Sequence, residues 1–186
     1  MTPLRRMSNK AILLGISGKK RSGKTTFAES LRDTYPNRVH IVSFADALKD
    51  EVCQACGITR DFLEQNKADF RLILQGWGTD FRRKHCGDSY WIQRWMQRVG
   101  DIIMQTPSPI IVTPDVRFLN ERRAVMYIKG MMVRIERPTC DNEDTHASET
   151  ELDNPKFQWH ATIHNDGTLE QFKQQIHQTI KELNIK

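Results

Sequence analysis

Short apolar runs and longer amphipathic segments alternate along this chain. Residues 11–16 form a nearly continuous apolar run, the mark of a strand buried on both faces. Similar runs predict strands over 39–44, 109–113, 131–135 and 159–164. Phe27, Leu31 and Tyr35 recur at four-residue spacing and predict a helix over 25–34. Further helices are predicted over 45–56, 89–104, 119–127 and 168–183, with mostly helical pattern from 60 to 84. Gly57 is placed to end one helix, and the Pro107/Pro109 pair to end another. Residues 137–155 show no period and read as a long polar loop.

Strands alternating with helices imply a parallel sheet covered on both faces, a three-layer α/β/α fold with five parallel strands. Residues 45–104 hold several helices and no strand, so they read as a helical insertion after the second strand. The expected organisation is one domain over 1–186: a core of 8–44, 105–136 and 156–186, the insertion 45–104, and a lid at 137–155. A length of 186 residues suits one domain.

Composition narrows the classes. With 38% apolar residues the chain is too hydrophobic for disorder, and its apolar runs are far short of the ~18 residues of a membrane span. The basic start followed by 11–16 lacks a small-residue cleavage site, so no signal peptide is read and a cytoplasmic location is expected. Net charge is +5, but it is divided. Residues 1–24 carry Arg5, Arg6, Lys10, Lys19, Lys20, Arg21 and Lys24 and no acid, whereas Arg137 is the one cation of the acidic stretch 137–153. A nucleic-acid coat would not be split in this way, so nucleic acid is not the expected partner. Cys53 and Cys56 form a CxxC without a second pair, and Cys86 and Cys140 stand apart, as reduced packing cysteines do.

Gly18-Lys19-Lys20-Arg21-Ser22-Gly23-Lys24-Thr25 matches G-x-x-x-x-G-K-[ST], and it follows a strand and opens a helix. Such a loop turns its backbone N–H groups onto phosphate oxygens at the positive end of a helix. Lys24 is expected on the β- and γ-phosphates of ATP, Thr25 on Mg²⁺, and Arg21 on the transferred phosphate. Thr26 extends the loop. A guanine-reading Asn-Lys-x-Asp is missing: Glu136-Arg137-Pro138 follows the fourth strand and Asn165-Asp166-Gly167 the fifth. That argues against a GTPase-like switch. A motor ATPase wants paired acids after a core strand, and the third strand ends in Asp115 alone.

A small-molecule kinase needs a second anion site facing the γ-phosphate. Asp115-Val116-Arg117 lies where the end of the third strand would meet a ligand. Arg117 is placed to clamp an acceptor phosphate. Asp115 is placed to hold Mg²⁺ through water, or to cap a helix. In the insertion, Gln75-Gly76-Trp77-Gly78-Thr79-Asp80 and Arg82-Arg83 bring an amide, an aromatic face and guanidinium groups together. The two glycines are expected to break the helix there, Trp77 to stack on a base, Gln75 to read its edge, and Arg82 or Arg83 to take the phosphate. Trp91 sits four residues before Trp95, the spacing of a packed face. Arg137 opens the loop that carries His146, Ser148 and Glu149.

Taken in order, the phosphate loop 18–25, Phe44-Ala45-Asp46-Ala47-Leu48-Lys49, the 75–83 segment, Asp115-Val116-Arg117-Phe118 with Asn120-Glu121, His146-Ala147-Ser148-Glu149 and Asn165-Asp166-Gly167 resemble a known set. The chain is similar to phage-type deoxynucleoside monophosphate kinases, a branch of the P-loop nucleoside monophosphate kinases. The resemblance implies a P-loop NTPase core, transfer of the ATP γ-phosphoryl group to a deoxynucleoside monophosphate with Mg²⁺, and an Asn165–Gly167 loop near the adenine. It implies acceptor-binding roles for Phe44, Asp46, Lys49, Gln75, Trp77, Gly78, Thr79, Arg82, Arg83, Trp91, Arg117 and Glu149. A homodimer stays open. Phosphomevalonate and dephospho-CoA kinases share parts of the layout and remain alternatives. Pro114 before Asp115, and a lid poor in arginine beside that of adenylate kinases, depart from the pattern.

Overall fold

A computed structural model describes residues 11–138 and 150–185. Strand β1 (Ile12–Ser17) runs into the phosphate loop and then helix α1 (Lys24–Thr34). Next come β2 (Val39–Ile41), α2 (Ala45–Cys56), α3 (Arg60–Gln65) and α4 (Arg71–Gln75). A π-helical segment (Gly76–Arg83) leads into α5 (Lys84–Cys86) and the long α6 (Tyr90–Gln105). The chain closes with β3 (Ile110–Thr113), α7 (Leu119–Tyr127), β4 (Met131–Glu136), β5 (Ala161–His164) and α8 (Leu169–Glu182).

The five strands pair in parallel, in the order β2-β3-β1-β4-β5. Alternation along each strand sorts the apolar residues onto two faces. Leu14, Ile16, Val112, Val133 and Ile135 bury against Phe27, Leu31, Phe172 and Ile176 of α1 and α8. Leu13, Ile111 and Met132 bury against Trp95 and Val99 of α6 and Val125 of α7. α1, α6, α7 and α8 each show the sheet an apolar stripe, so both layers follow from the 3.6-residue period. Trp95 is 2% exposed, and cutting it to alanine would cost about 3–5 kcal/mol. Because β1 lies between β3 and β4, the carboxyl ends of all three open onto one edge. The phosphate loop follows β1 at that edge.

The strands and helices occur where the sequence pattern places them, except that β5 begins at Ala161 rather than residue 159, and with two larger differences. Strand β2 stops at Ile41 rather than continuing to residue 44. The Asp115 carboxylate accepts from the Phe44 amide at 3.0 Å and the Ala45 amide at 3.1 Å. Those bonds draw the chain off the sheet and into α2. The second difference lies at Gly76 and Gly78, which do not break the helix. It widens there into π turns. Gly78 is buried, and a Cβ on it would lie 2.9 Å from the Leu48 side chain. Its carbonyl accepts from Trp91 Nε1 at 3.0 Å. The glycines allow close approach, and the helix continues past it.

Candidate active site

The loop between β1 and α1 is built for anions. Gly23 has φ 111°, and a Cβ there would press to 2.7 Å from the Phe172 ring. Arg21 also adopts the left-handed region, at φ 64°. Such a conformation is costly for a residue with a side chain and marks a loop shaped for function. Lys24 Nζ donates to the carbonyls of Gly18 at 2.7 Å and Lys19 at 2.6 Å. Ser22 Oγ is buried without a hydrogen-bond partner among the described residues. An orphaned hydroxyl in such a loop suits a phosphate oxygen.

A cavity of about 300 Å³ opens beside this loop, lined by Arg21 to Thr26, Arg137, Asn165 and Gly167, with Leu169 and Phe172 as its apolar wall. Arg137 Nη1 donates to the Arg21 carbonyl at 3.4 Å. Asn165 is buried and donates from Nδ2 to the Ser22 carbonyl at 2.8 Å. The structure thus gathers residues 21–26 of the loop, Arg137, Asn165 and Gly167 at one site, with Gly18 and Lys19 outside its wall. Asp166 and Lys20 are exposed and outside the cavity wall.

A second group gathers at the end of β3, across the sheet edge. Glu121 is 3% exposed and accepts from the Arg117 amide at 2.9 Å and the Phe118 amide at 3.1 Å. Arg83, at the end of the π-helical segment, donates to Glu121 at 3.2 Å and lies 4.2 Å over the Phe118 ring. Arg83, Arg117, Asp115 and the start of α2 therefore meet. Burial pushes the Glu121 carboxyl up to about 7, helped by the neighbouring Asp115 charge and opposed by the two amides and Arg83. Burial raises Asp115 as well, against the amides of Ala45 and Phe44.

Several expected contacts are already engaged elsewhere. Both Asp115 oxygens accept from the start of α2, so the side chain caps that helix, and burial raises its carboxyl against those two amides and Arg117. Phe44 is 4% exposed and stacks on Trp95 at 4.6 Å, and Trp91 is 4% exposed. Both rings are core, with no face left for a base. Trp77 Nε1 donates to Glu51 at 3.0 Å, and Arg82 Nε to the same oxygen at 2.7 Å. Asp46 accepts from the Ser43 amide at 2.8 Å and pairs with Arg60 at 2.7 Å, while Lys49 pairs with Glu64. Gln75 and Thr79 are exposed. Cys140, His146, Ser148 and Glu149 lie outside the described residues. Among the described residues Cys53, Cys56 and Cys86 are free, and no group of three or more His, Cys, Asp or Glu is placed to hold a metal.

Sequence reasoning missed Glu51, Arg134 and Asp153. Glu51 accepts from Trp77, Arg82 and the Tyr90 hydroxyl. Burial raises its carboxyl, but these three donors together hold it below the ordinary range. A lone acid on a helix face gives no sequence signal for that. Arg134 donates to Ser17 Oγ at 3.2 Å and to Asp153 at 2.6 Å, and Asp153 also pairs with Lys19. Arg134 did leave a signal, as the one cation within the apolar run of β4.

The parallel sheet, the loop at the end of β1 and the anion pocket beside it define a P-loop kinase fold. The same fold occurs in a variant of the Mycobacterium tuberculosis APS kinase (TM-score 0.52, 9% identity, 92% of this chain and 98% of that one). It also occurs in a Thermus thermophilus protein (TM-score 0.56, 16% identity, 94% and 99%). The chain belongs to the deoxynucleotide monophosphate kinase family, whose model matches residues 55–176. A protein of Acanthamoeba polyphaga mimivirus assigned to that activity is 31% identical over 190 residues, covering 89% of this chain and 94% of its own. The deoxynucleotide monophosphate kinase of Enterobacteria phage T4 is 29% identical over 113 residues, covering 61% and 46%.

Proposed function

We infer that this protein transfers the γ-phosphoryl group of ATP to a deoxynucleoside monophosphate, giving ADP and the deoxynucleoside diphosphate. Family membership sets the reaction class. The observation that carries the reading is the pairing of two cationic sites on one sheet edge. The phosphate loop with Arg21, Lys24 and Arg137 forms one; Arg83, held by Glu121, and Arg117, whose charge acts on Asp115 at the end of β3, form the other.

The attacking group is an oxygen of the acceptor phosphate, largely dianionic at pH 7 because its second pKa is near 6. It needs no proton removed, so no side chain serves as general base. What it needs is alignment with the γ-phosphorus and cations that offset two phosphates brought together. Lys24 and Arg21 supply these on the donor side, with Arg137 beside them. Arg117, whose backbone amide is held by Glu121 and whose charge acts on Asp115, supplies them on the acceptor side. Mg²⁺ fits a site with a single protein oxygen at Thr25 and the remaining ligands from nucleotide phosphates and water. When bound, it would neutralise charge on the β- and γ-phosphate oxygens. The cytoplasmic location, action on free nucleotides rather than nucleic acid, and a homodimer belong to the same proposal. Among the described residues no helix is long and apolar enough to cross a membrane.

The test is ADP release with ATP, Mg²⁺ and each dNMP and rNMP in turn, with phosphomevalonate and dephospho-CoA as controls. Turnover of about 1–100 s⁻¹ on at least one dNMP is expected. Activity confined to either control would replace this reading with another small-molecule kinase.

A further inference from the structure

Residues 151–153, at the end of the acidic stretch, return across the acceptor side of the site and hold it at two points. The Leu119 amide, at the start of α7, donates to Glu151 at 2.6 Å. Leu152 is 4% exposed and packs into the cluster of Phe44, Trp95 and Val116. Asp153 then reaches the phosphate loop, with one carboxylate oxygen on Lys19 and the other on Arg134 at 2.6 Å. Arg134 is fixed in turn, because it pairs in register with Ser17 and donates to its hydroxyl. Its side chain is 11% exposed and that of Lys19 19%, so neither is an ordinary solvated surface cation.

This contact lies away from the donor cavity. Lys19 is absent from that cavity's lining. Ser17 and Arg134 share the sheet face of Leu13 and Met132, which is the face of α6 and α7. Arg134 also lies 5.6 Å over Trp159, which packs on that face. The cation held by Asp153 therefore belongs to the acceptor side.

We propose that Asp153 is a built-in counter-ion that occupies Lys19 in the free enzyme and yields it to the phosphate of the incoming dNMP, while Arg134 keeps hold of Asp153. This rests on the kinase reading above. The physical basis is charge balance. Lys19, Lys20, Arg21 and Lys24 are four cations within one short loop, and like charges at that spacing repel one another. Asp153, whose neighbour Leu152 is anchored in the core, sets a carboxylate against one of them, Lys19. A phosphate dianion carries more charge and more acceptor oxygens than a carboxylate, so it displaces Asp153 from Lys19. Arg134 retains the carboxylate, so Asp153 keeps a partner during the exchange.

The test is binding of dAMP, dCMP, dGMP and dTMP to the full chain by calorimetry, alongside steady-state kinetics. Asp153→Asn removes the competing charge. It should tighten dNMP binding and lower the dNMP KM by about two- to fivefold, the range set by a partly exposed ion pair. The ATP KM should change less. In a Lys19→Met background, where dNMP binds more weakly, adding Asp153→Asn should produce no further change. Asp153→Ser is the second variant, and melting curves check both for folding. Unchanged or weakened dNMP binding in folded variants would overturn the proposal, as would tightening of ATP alone. Loss of folding in both variants would overturn it as well, since Asp153 would then be a structural anchor. A wild type that binds and phosphorylates no dNMP would instead sink the kinase reading.

Discussion

Asn165, just past the end of β5, donates from its buried side-chain amide to the carbonyl of Ser22 in the phosphate loop, at 2.8 Å. Its own backbone amide donates to Glu136 at the end of β4 at 2.7 Å. One residue thus fixes the loop to two strand ends. Asn165→Ala should leave the Ser22 carbonyl unsatisfied in a buried place. The expected cost is about 1–3 kcal/mol of stability, with a raised ATP KM and little change in dNMP KM. Thermal melting and separate KM measurements for the two substrates check this.

The two cationic sites should separate kinetically. Lys24→Ala should cut kcat with modest change in dNMP KM, because Lys24 serves the transferring group. Arg117→Ala should raise the dNMP KM and lower kcat/KM. Identical kinetic patterns in the two variants would remove Arg117 from the acceptor site.

Glu121 should leave a mark on the pH dependence of stability. Its carboxyl stands at about 7 in the folded protein, above its ordinary value of 4.5. The folded state therefore holds a proton that the unfolded state has released over that interval. Its contribution is fully present below about pH 4.5 and is lost as pH rises through about 7, by on the order of 1–3 kcal/mol. Glu121→Gln should flatten the fall in melting temperature between pH 5.5 and 8. Parallel curves for the variant and the wild type would contradict the assignment.

Asp115→Asn separates a helix cap from a metal ligand. Loss of a cap on α2 predicts about 0.5–2 kcal/mol of destabilisation, with activity that does not respond to added Mg²⁺. Recovery of rate at raised Mg²⁺ would return Asp115 to the metal site. Melting temperature and a Mg²⁺ titration of the rate read the two outcomes together.

The layers and the donor loop were legible because both are local. Hydrophobic period marks each strand and helix, and the phosphate loop is one contiguous motif. The acceptor side was legible only in outline. Arg83 and Arg117 stand far apart in sequence and come near one another because Glu121, buried at the start of α7, holds the Arg83 guanidinium and the Arg117 backbone amide. Trp77 and Arg82 read as ligand contacts because their partner Glu51 lies on another helix, and no spacing rule links them. Phe44 and Trp91 took their acceptor-binding roles from the resemblance, although the four-residue spacing of Trp91 and Trp95 already marks a packed face. Aromatic side chains look alike in a sequence whether they face a base or, as here, the core. The glycines around Trp77 were read as breakers, since a π turn is set by packing against Leu48 and Trp91 rather than by local propensity.

The most direct measurement is the fate of the γ-phosphorus, followed by ³¹P NMR with the protein, ATP, Mg²⁺ and a dNMP. The expected result is loss of the ATP γ-signal with matching growth of ADP and of the β-phosphate signal of the deoxynucleoside diphosphate, and little inorganic phosphate. Release of inorganic phosphate with the dNMP signal unchanged would contradict phosphotransfer between two nucleotide sites.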